Sequence, residues 1–145
     1  MNRLRRRAGW PAALAAFLAQ RENRPFNWYD FSCALFGADW VLDLTGVDLA
    51  AEYRGPRTKR AALARLKKIS GGGVVEAATR ALGEPLAVPA LARRGDIAAV
   101  PVDEDGCEVM FLGIVDPSGA QVAIGLREGL ARVPLTMAVK AWAVG

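Results

Sequence analysis

Cys33 is the residue of this chain best suited to attack a carbonyl. It opens an apolar, helix-like run, preceded by Trp28-Tyr29-Asp30-Phe31-Ser32 and followed by Ala34-Leu35-Phe36. A thiol attacks as the thiolate, and an imidazole held beside the sulfur is the usual way to depress its pKa by several units. The chain contains no histidine. An unassisted cysteine is only about a few per cent ionised near neutrality. A carboxylate cannot stand in, because its charge raises a neighbouring thiol pKa. Lysine can serve as a base, yet Lys140 is the only lysine beyond residue 70 and nothing in the sequence brings it to Cys33. A helix N-terminus alone supplies less than about 1 kcal/mol at an exposed site, under about one pKa unit. The expectation is a nucleophile position without its base. The plain alternative is a buried, inert cysteine on an apolar helix face.

The remaining chemistry is sparse. Cys33 and Cys107 are the only cysteines, too few and too far apart for a disulfide framework or a structural zinc site, and no histidine ligand exists. No metal or cofactor is expected, and both thiols are expected to stay reduced. Ser70-Gly71-Gly72-Gly73 before a helix invites comparison with a phosphate cradle, but no GK[ST] or GxGxxG pattern and no preceding strand accompany it. A turn between helices is expected there. Residues 1–70 carry 13 Lys/Arg against 6 Asp/Glu, and residues 71–145 carry 6 against 9. The front half is therefore basic, and Arg3, Arg5, Arg6 and Arg7 form a candidate docking arm or a solvated tail.

The elements that must position Cys33 can be read from spacing. Pro11 suits a first helical turn, and Leu14, Phe17 and Leu18 recur on one face of a helix ending near Glu22. Asn23-Arg24-Pro25 breaks it, and Phe26-Asn27-Trp28-Tyr29 reads as an aromatic loop leading to Ser32 as N-cap. In the second helix Cys33, Phe36, Gly37, Trp40, Val41 and Leu44 share a face, and Gly46 supplies the stop. Arg57-Thr58 opens a third helix expected to turn Leu63, Leu66 and Ile69 inward, and a fourth runs from Val74 to about Leu82. After Gly83-Glu84-Pro85 the period changes to that of strands: Ile97 to Val102, Glu108 to Val115 and Gln121 to Leu126, separated by Asp-Gly and Pro-Ser-Gly turns. A further short strand or helix is expected between Val133 and Val144. Helices first and a small antiparallel sheet second define an α+β fold.

The 145 residues are expected to form a single domain, with a basic arm over 1–9, a helical part over 10–83 and a sheet part over 84–145. No stretch approaches the roughly 18 to 20 apolar residues of a membrane span. The run from Trp10 to Ala19 is closed by Gln20-Arg21-Glu22, and its amphipathic spacing reads as a helix rather than a leader peptide. The protein is expected to be made in the cytoplasm.

A family resemblance emerges from the order of the pieces. The aromatic-Trp loop, Cys33 at a helix start, Ala38-Asp39-Trp40-Val41, Thr45-Gly46, Arg54-Gly55, Leu82-Gly83, Arg94-Gly95-Asp96-Ile97, Gly113-Ile114 and Ala141-Trp142 follow one another across most of the chain. That series resembles a family of small phage and prophage proteins of tail-gene clusters, which in turn looks like the NlpC-type branch of papain-like cysteine peptidases. The resemblance implies a papain-like (NlpC-like) fold with helices packed on the sheet. It also implies Cys33 as the nucleophile position and Gly95-Asp96 before the first strand. The second strand of active members carries the base in a His-Val-Gly-Ile-like run. Here that run aligns with Phe111-Leu112-Gly113-Ile114, so Phe111 stands where the imidazole would be, and Ser32 replaces the Asp that often precedes the cysteine.

The implied role is that of a catalytically inactive tail-tip or baseplate protein of the virion, docking on hub subunits. Its partners would be other tail proteins. Trp28, Tyr29, Ser32, Trp40 and Asp96 are candidate groove or partner contacts, each with core packing or capping as the structural alternative. A peptidoglycan-cleaving cysteine peptidase used in entry is one rival. A basic nucleic-acid-binding or assembly factor, using the arginine arm and the Lys59 to Lys68 helix, is the other and the less favoured, because no aromatic residues interleave with the basic ones.

Overall fold

The structure, a computed structural model, describes residues 4–29 and 31–145. Four helices come first: α1 (Trp10–Arg21), α2 (Cys33–Thr45), α3 (Lys59–Ser70) and α4 (Val74–Leu82). Five strands follow: β1 (Ile97–Glu104), β2 (Cys107–Val115), β3 (Gln121–Leu126), β4 (Gly129–Pro134) and β5 (Lys140–Trp142). Short 3-10 turns at Pro89–Leu91 and Leu135–Met137 connect the pieces. The fold is α+β with one antiparallel sheet in the order β4-β3-β2-β1-β5.

Local chemistry accounts for the helix limits. The Ser32 hydroxyl accepts a hydrogen bond from the Leu35 N–H at 3.3 Å, and Thr58 does the same for Ala61 at 3.2 Å. Both satisfy donors that a helix start leaves unpaired. Gly46 and Gly71 take left-handed conformations (φ 81° and 83°) that end α2 and α3, where a side chain would be strained. The glycine run between α3 and α4 is a helix-to-helix turn, with the Glu76 carboxylate accepting from the Gly73 N–H at 2.7 Å.

Helices and sheet share one apolar core. Leu14, Phe17 and Leu18 of α1 pack with Phe36, Trp40, Val41 and Leu44 of α2 and with Ile97, Leu112, Ile114 and Trp142 of the sheet. Phe17 lies 5.9 Å from Phe36 and 5.4 Å from Trp40, centroid to centroid. A second cluster on the other face of the sheet gathers Val100, Phe111, Val115, Val122, Ile124 and Leu135 with Cys33.

Two expectations need correction. In α3 only Leu66 is buried, whereas Leu63 is 44% exposed and Ile69 is half-buried. The helix packs by a narrow stripe, so its periodic apolar residues outnumber the positions that the neighbours cover. The sheet also has more strands than the three-strand meander expected. β5 lies where a further short element was anticipated, but β4 was not foreseen, because Gly129–Pro134 carries an arginine and a proline and lacks the Val/Ile density of its neighbours. Its partner sets its conformation, with Leu126 paired to Gly129 across the two-residue turn Arg127-Glu128. Among the described residues no helix is long and apolar enough to cross a membrane.

Candidate functional site

The site is the junction between the start of α2 and the middle of β2. Ser32 caps the helix, so Cys33 is its first residue, and the fully buried Phe31 beneath it packs edge-on against Phe36 at 5.6 Å. This fixes the backbone that presents the sulfur. Phe111 is carried by β2, paired with Val100 of β1. Cys33 and Phe111 line one groove of ≈ 560 Å³, together with Trp28, Leu63, Val75 and Met110. The spacing between them in the chain is large, and only the packing of α2 on the sheet brings them together.

The surroundings of the sulfur favour the thiol over the thiolate. Burial pushes the Cys33 thiol up, with hydrogen bonding to the Leu112 and Ala34 backbone opposing it, and the Glu104 charge acts in the same direction as burial. Most polar groups on the groove wall already have partners. Ser32 caps α2, Glu76 holds the Gly73 N–H, and Lys59 pairs with Glu104 at 3.3 Å. Phe111 has no proton to accept or give. The groove is largely apolar, and its cationic lining residues are Lys59, paired with Glu104, and Lys140, which the structure, unlike the sequence, brings onto the same groove as Cys33. Among the described residues no cluster of three or more Cys, Asp or Glu is placed to hold a metal ion.

The other expected site residues divide sharply. Trp28 is half-buried, meets Phe26 edge-on at 5.0 Å and lines the groove. Tyr29 is 46% exposed and lies under the Arg57 guanidinium at 4.2 Å, outside the groove wall. Trp40 is fully buried, its indole N–H donating to the Gly95 carbonyl at 2.9 Å. It is not in the groove wall and has no exposed surface to offer a partner, which corrects its candidacy.

Asp96 is also corrected. Its side chain is 1% exposed and sits at the centre of a knot that ties both ends of the chain to the loop before β1. One carboxylate oxygen accepts from Arg6 at 2.7 Å and from the Val144 N–H at 3.0 Å, and the other accepts from the Arg93 N–H at 2.8 Å. Arg6 also donates to the Val144 and Arg94 carbonyls, both at 2.8 Å, and lies 4.3 Å over the Trp10 ring. Burial lowers the Arg6 pKa, and the Asp96 charge acts against that. Arg7 bonds the Asp43 carbonyl at 2.6 Å and its carboxylate at 3.0 Å. Arg6 and Arg7 are thus not members of a free basic arm, because their guanidinium groups are spent inside the molecule. Arg5 is exposed, and Arg3 lies outside the described residues, as does Asp30.

Sequence reasoning missed the walls of the groove. Leu63, Val109 and Val139 are large, apolar and exposed around it. The one available signal was an apolar residue such as Leu63 in a helix otherwise rich in Lys and Arg. A second, more polar trough of ≈ 710 Å³ adjoins the groove on the far side of Phe111 and was also unforeseen.

The chain matches, over residues 5–144, the family model described as Domain of unknown function (DUF6950). No curated protein and no solved structure matches it.

Proposed function

The chain belongs to the DUF6950 family, and on its geometry we propose that it is a catalytically silent, papain-like module of a phage or prophage tail, working by contact with neighbouring tail proteins. One observation supports the silent half of this proposal: the cysteine at the head of α2 is buried in a largely apolar cluster, and the strand residue that the resemblance aligns with the base is Phe111, on the same groove. A nucleophile helix packed on an antiparallel sheet supports the papain-like assignment. The tail location is supported by the ordered series of motifs from the aromatic loop to Ala141-Trp142. A retained groove with large exposed apolar residues supports docking, since such surfaces commonly mark interaction sites. The nucleic-acid alternative loses Arg6 and Arg7, which are held by Asp96 and Asp43.

Zymography on purified peptidoglycan tests the catalytic half. No clearing is expected from the protein or from Cys33→Ala. Clearing by the protein that Cys33→Ala abolishes would replace this proposal with an entry peptidase. Reconstruction of a tail particle from a strain carrying the gene tests the rest: density for this chain at the tip is expected, and its absence from the particle counts against the tail assignment.

A further inference from the structure

The hairpin of β1 and β2 runs on past the rest of the sheet. Pairing of β1 with β5 stops at Ala99 and pairing of β2 with β3 stops at Ile114, while β1 and β2 stay paired out to Glu104 and Cys107. Among the described residues the end of this ribbon has no strand beside it, and each strand edge there presents main-chain groups for pairing. The two edges differ. Pro101 can keep its place in the ladder with Met110 only with its nitrogen turned outward, so the β1 edge lacks a donor and resists a further strand. The β2 edge from Cys107 to Met110 has no such guard, and Val109 on it is 37% exposed.

Space and charge lie on either side of Phe111, where that edge begins. Val109 and Met110 line the ≈ 560 Å³ groove, and the adjoining trough of ≈ 710 Å³ runs between residues 102–105 of the ribbon and the β3–β4 turn, with Trp28 and Phe111 in its wall. Asp103 and Asp105 at the ribbon tip and Glu128 across the trough line it, and Glu108 sits on β2 itself. Among the described residues none of these four has an ion-pair partner, Lys59 being used by Glu104. Arg57, Lys59 and Arg127 are the cations of the trough, against Asp103, Glu104, Asp105 and Glu128, so with Glu108 on the adjacent strand the acids remain in surplus.

We infer that the open edge of β2 takes an extended, lysine- or arginine-bearing segment of a partner protein as an added strand. Its main chain pairs with residues 107–110, its basic side chains meet the acidic tip, and an apolar side chain enters the trough against Phe111 and Trp28. A second copy of this chain is the poorer occupant, because two ribbons side by side would set like charges opposite one another. The inference rests on the docking role proposed above only in that the partner is a protein, and it makes no use of Cys33.

The test uses the full chain and a fluorescent acetylated peptide of four Lys-Val repeats, with anisotropy for affinity and amide hydrogen exchange for location. Protection is expected at residues 107–110, with exchange there slowed about tenfold at saturation. The same peptide with a central valine replaced by proline is expected to lose that protection, since it lacks a ladder donor. A Glu108→Lys, Glu128→Lys variant, whose melting temperature should match the parent, is expected to bind about tenfold more weakly at low salt. Equal binding of the proline peptide, protection elsewhere, or no binding at millimolar peptide would overturn the inference. None of these outcomes bears on peptidoglycan cleavage, so failure here and failure of the silent-peptidase proposal are separable.

Discussion

The knot around Asp96 and the groove at Cys33 are opposites. In the knot, charged residues that look from the sequence like surface equipment are enclosed and satisfied by one another: Asp96 accepts three hydrogen bonds and Arg6 gives three. In the groove, a residue with the credentials of a catalyst is buried among mainly apolar side chains, with Phe111 and Lys140 lining the same space. Charge at the knot holds the two ends of the chain together, while in the groove burial raises the pKa of the one thiol it encloses. The first region resists change because each atom has a partner.

The contrast breaks most visibly at Asp96. Asp96→Ala leaves Arg6 and two backbone N–H groups without their acceptor, and removing one member of a buried pair costs about 3–5 kcal/mol. Urea unfolding followed by circular dichroism should show that loss. Arg6→Ala, whose side chain retains some contact with water, should cost less, about 2 kcal/mol. A loss below about 0.5 kcal/mol in both would mean the knot is decorative.

Where β2 meets β3, Gly113→Ala tests how closely the two strands approach. A Cβ there would run into the Ala123 carbonyl and within 2.6 Å of a Val122 methyl, so about 1–3 kcal/mol of destabilisation is expected from overpacking. Inside the groove, Phe111→His asks whether an imidazole at that position can serve Cys33. With an imidazole on that wall, alkylation of Cys33 by iodoacetamide at pH 7 should quicken by about tenfold, in line with a thiol pKa lowered by a neighbouring imidazole. An unchanged rate would show that residue 111 does not occupy the base position.

The smallest effect is the pH dependence of Cys33 itself. Burial raises its folded-state pKa, so folding favours the neutral thiol. Its stabilising contribution is complete below the unfolded pKa, near about 8.5, and fades as pH rises through the folded value. Stability should therefore fall more steeply above about pH 8.5 in the parent than in Cys33→Ala, measured as the difference between their urea midpoints across pH 7 to 10. Parallel curves would indicate an accessible, unperturbed sulfur.

Much of the helical half was legible because its determinants are local. Ser32, Thr58, Gly46 and Gly71 act within a turn of the residues they cap, and the period of Leu14, Phe17 and Leu18 needs no distant information. The first three strands announced themselves by apolar density between Asp-Gly and Pro-Ser-Gly turns. What escaped was non-local. Arg6 and Asp96 are 90 residues apart, and nothing in Arg3-Leu4-Arg5-Arg6-Arg7 distinguishes the one guanidinium that will be enclosed. β4 depends on β3 for its conformation, and the exposure of Leu63 depends on how far α3 stands from the sheet. The meeting of Cys33 and Phe111 on one groove was accessible only through the family resemblance, since their spacing carries no periodic signal.

One consequence of the knot concerns connectivity. Arg6 binds the Val144 carbonyl, and Gly145 lies against the backbone of Leu4 and Arg6, so residues 4 and 145 emerge side by side. A short glycine-serine bridge between them, with the chain reopened at Pro117-Ser118-Gly119, should give a circular permutant that refolds. By the same token, the module can be spliced as a cassette into a loop of a carrier protein, with its two attachment points leaving the host from neighbouring positions.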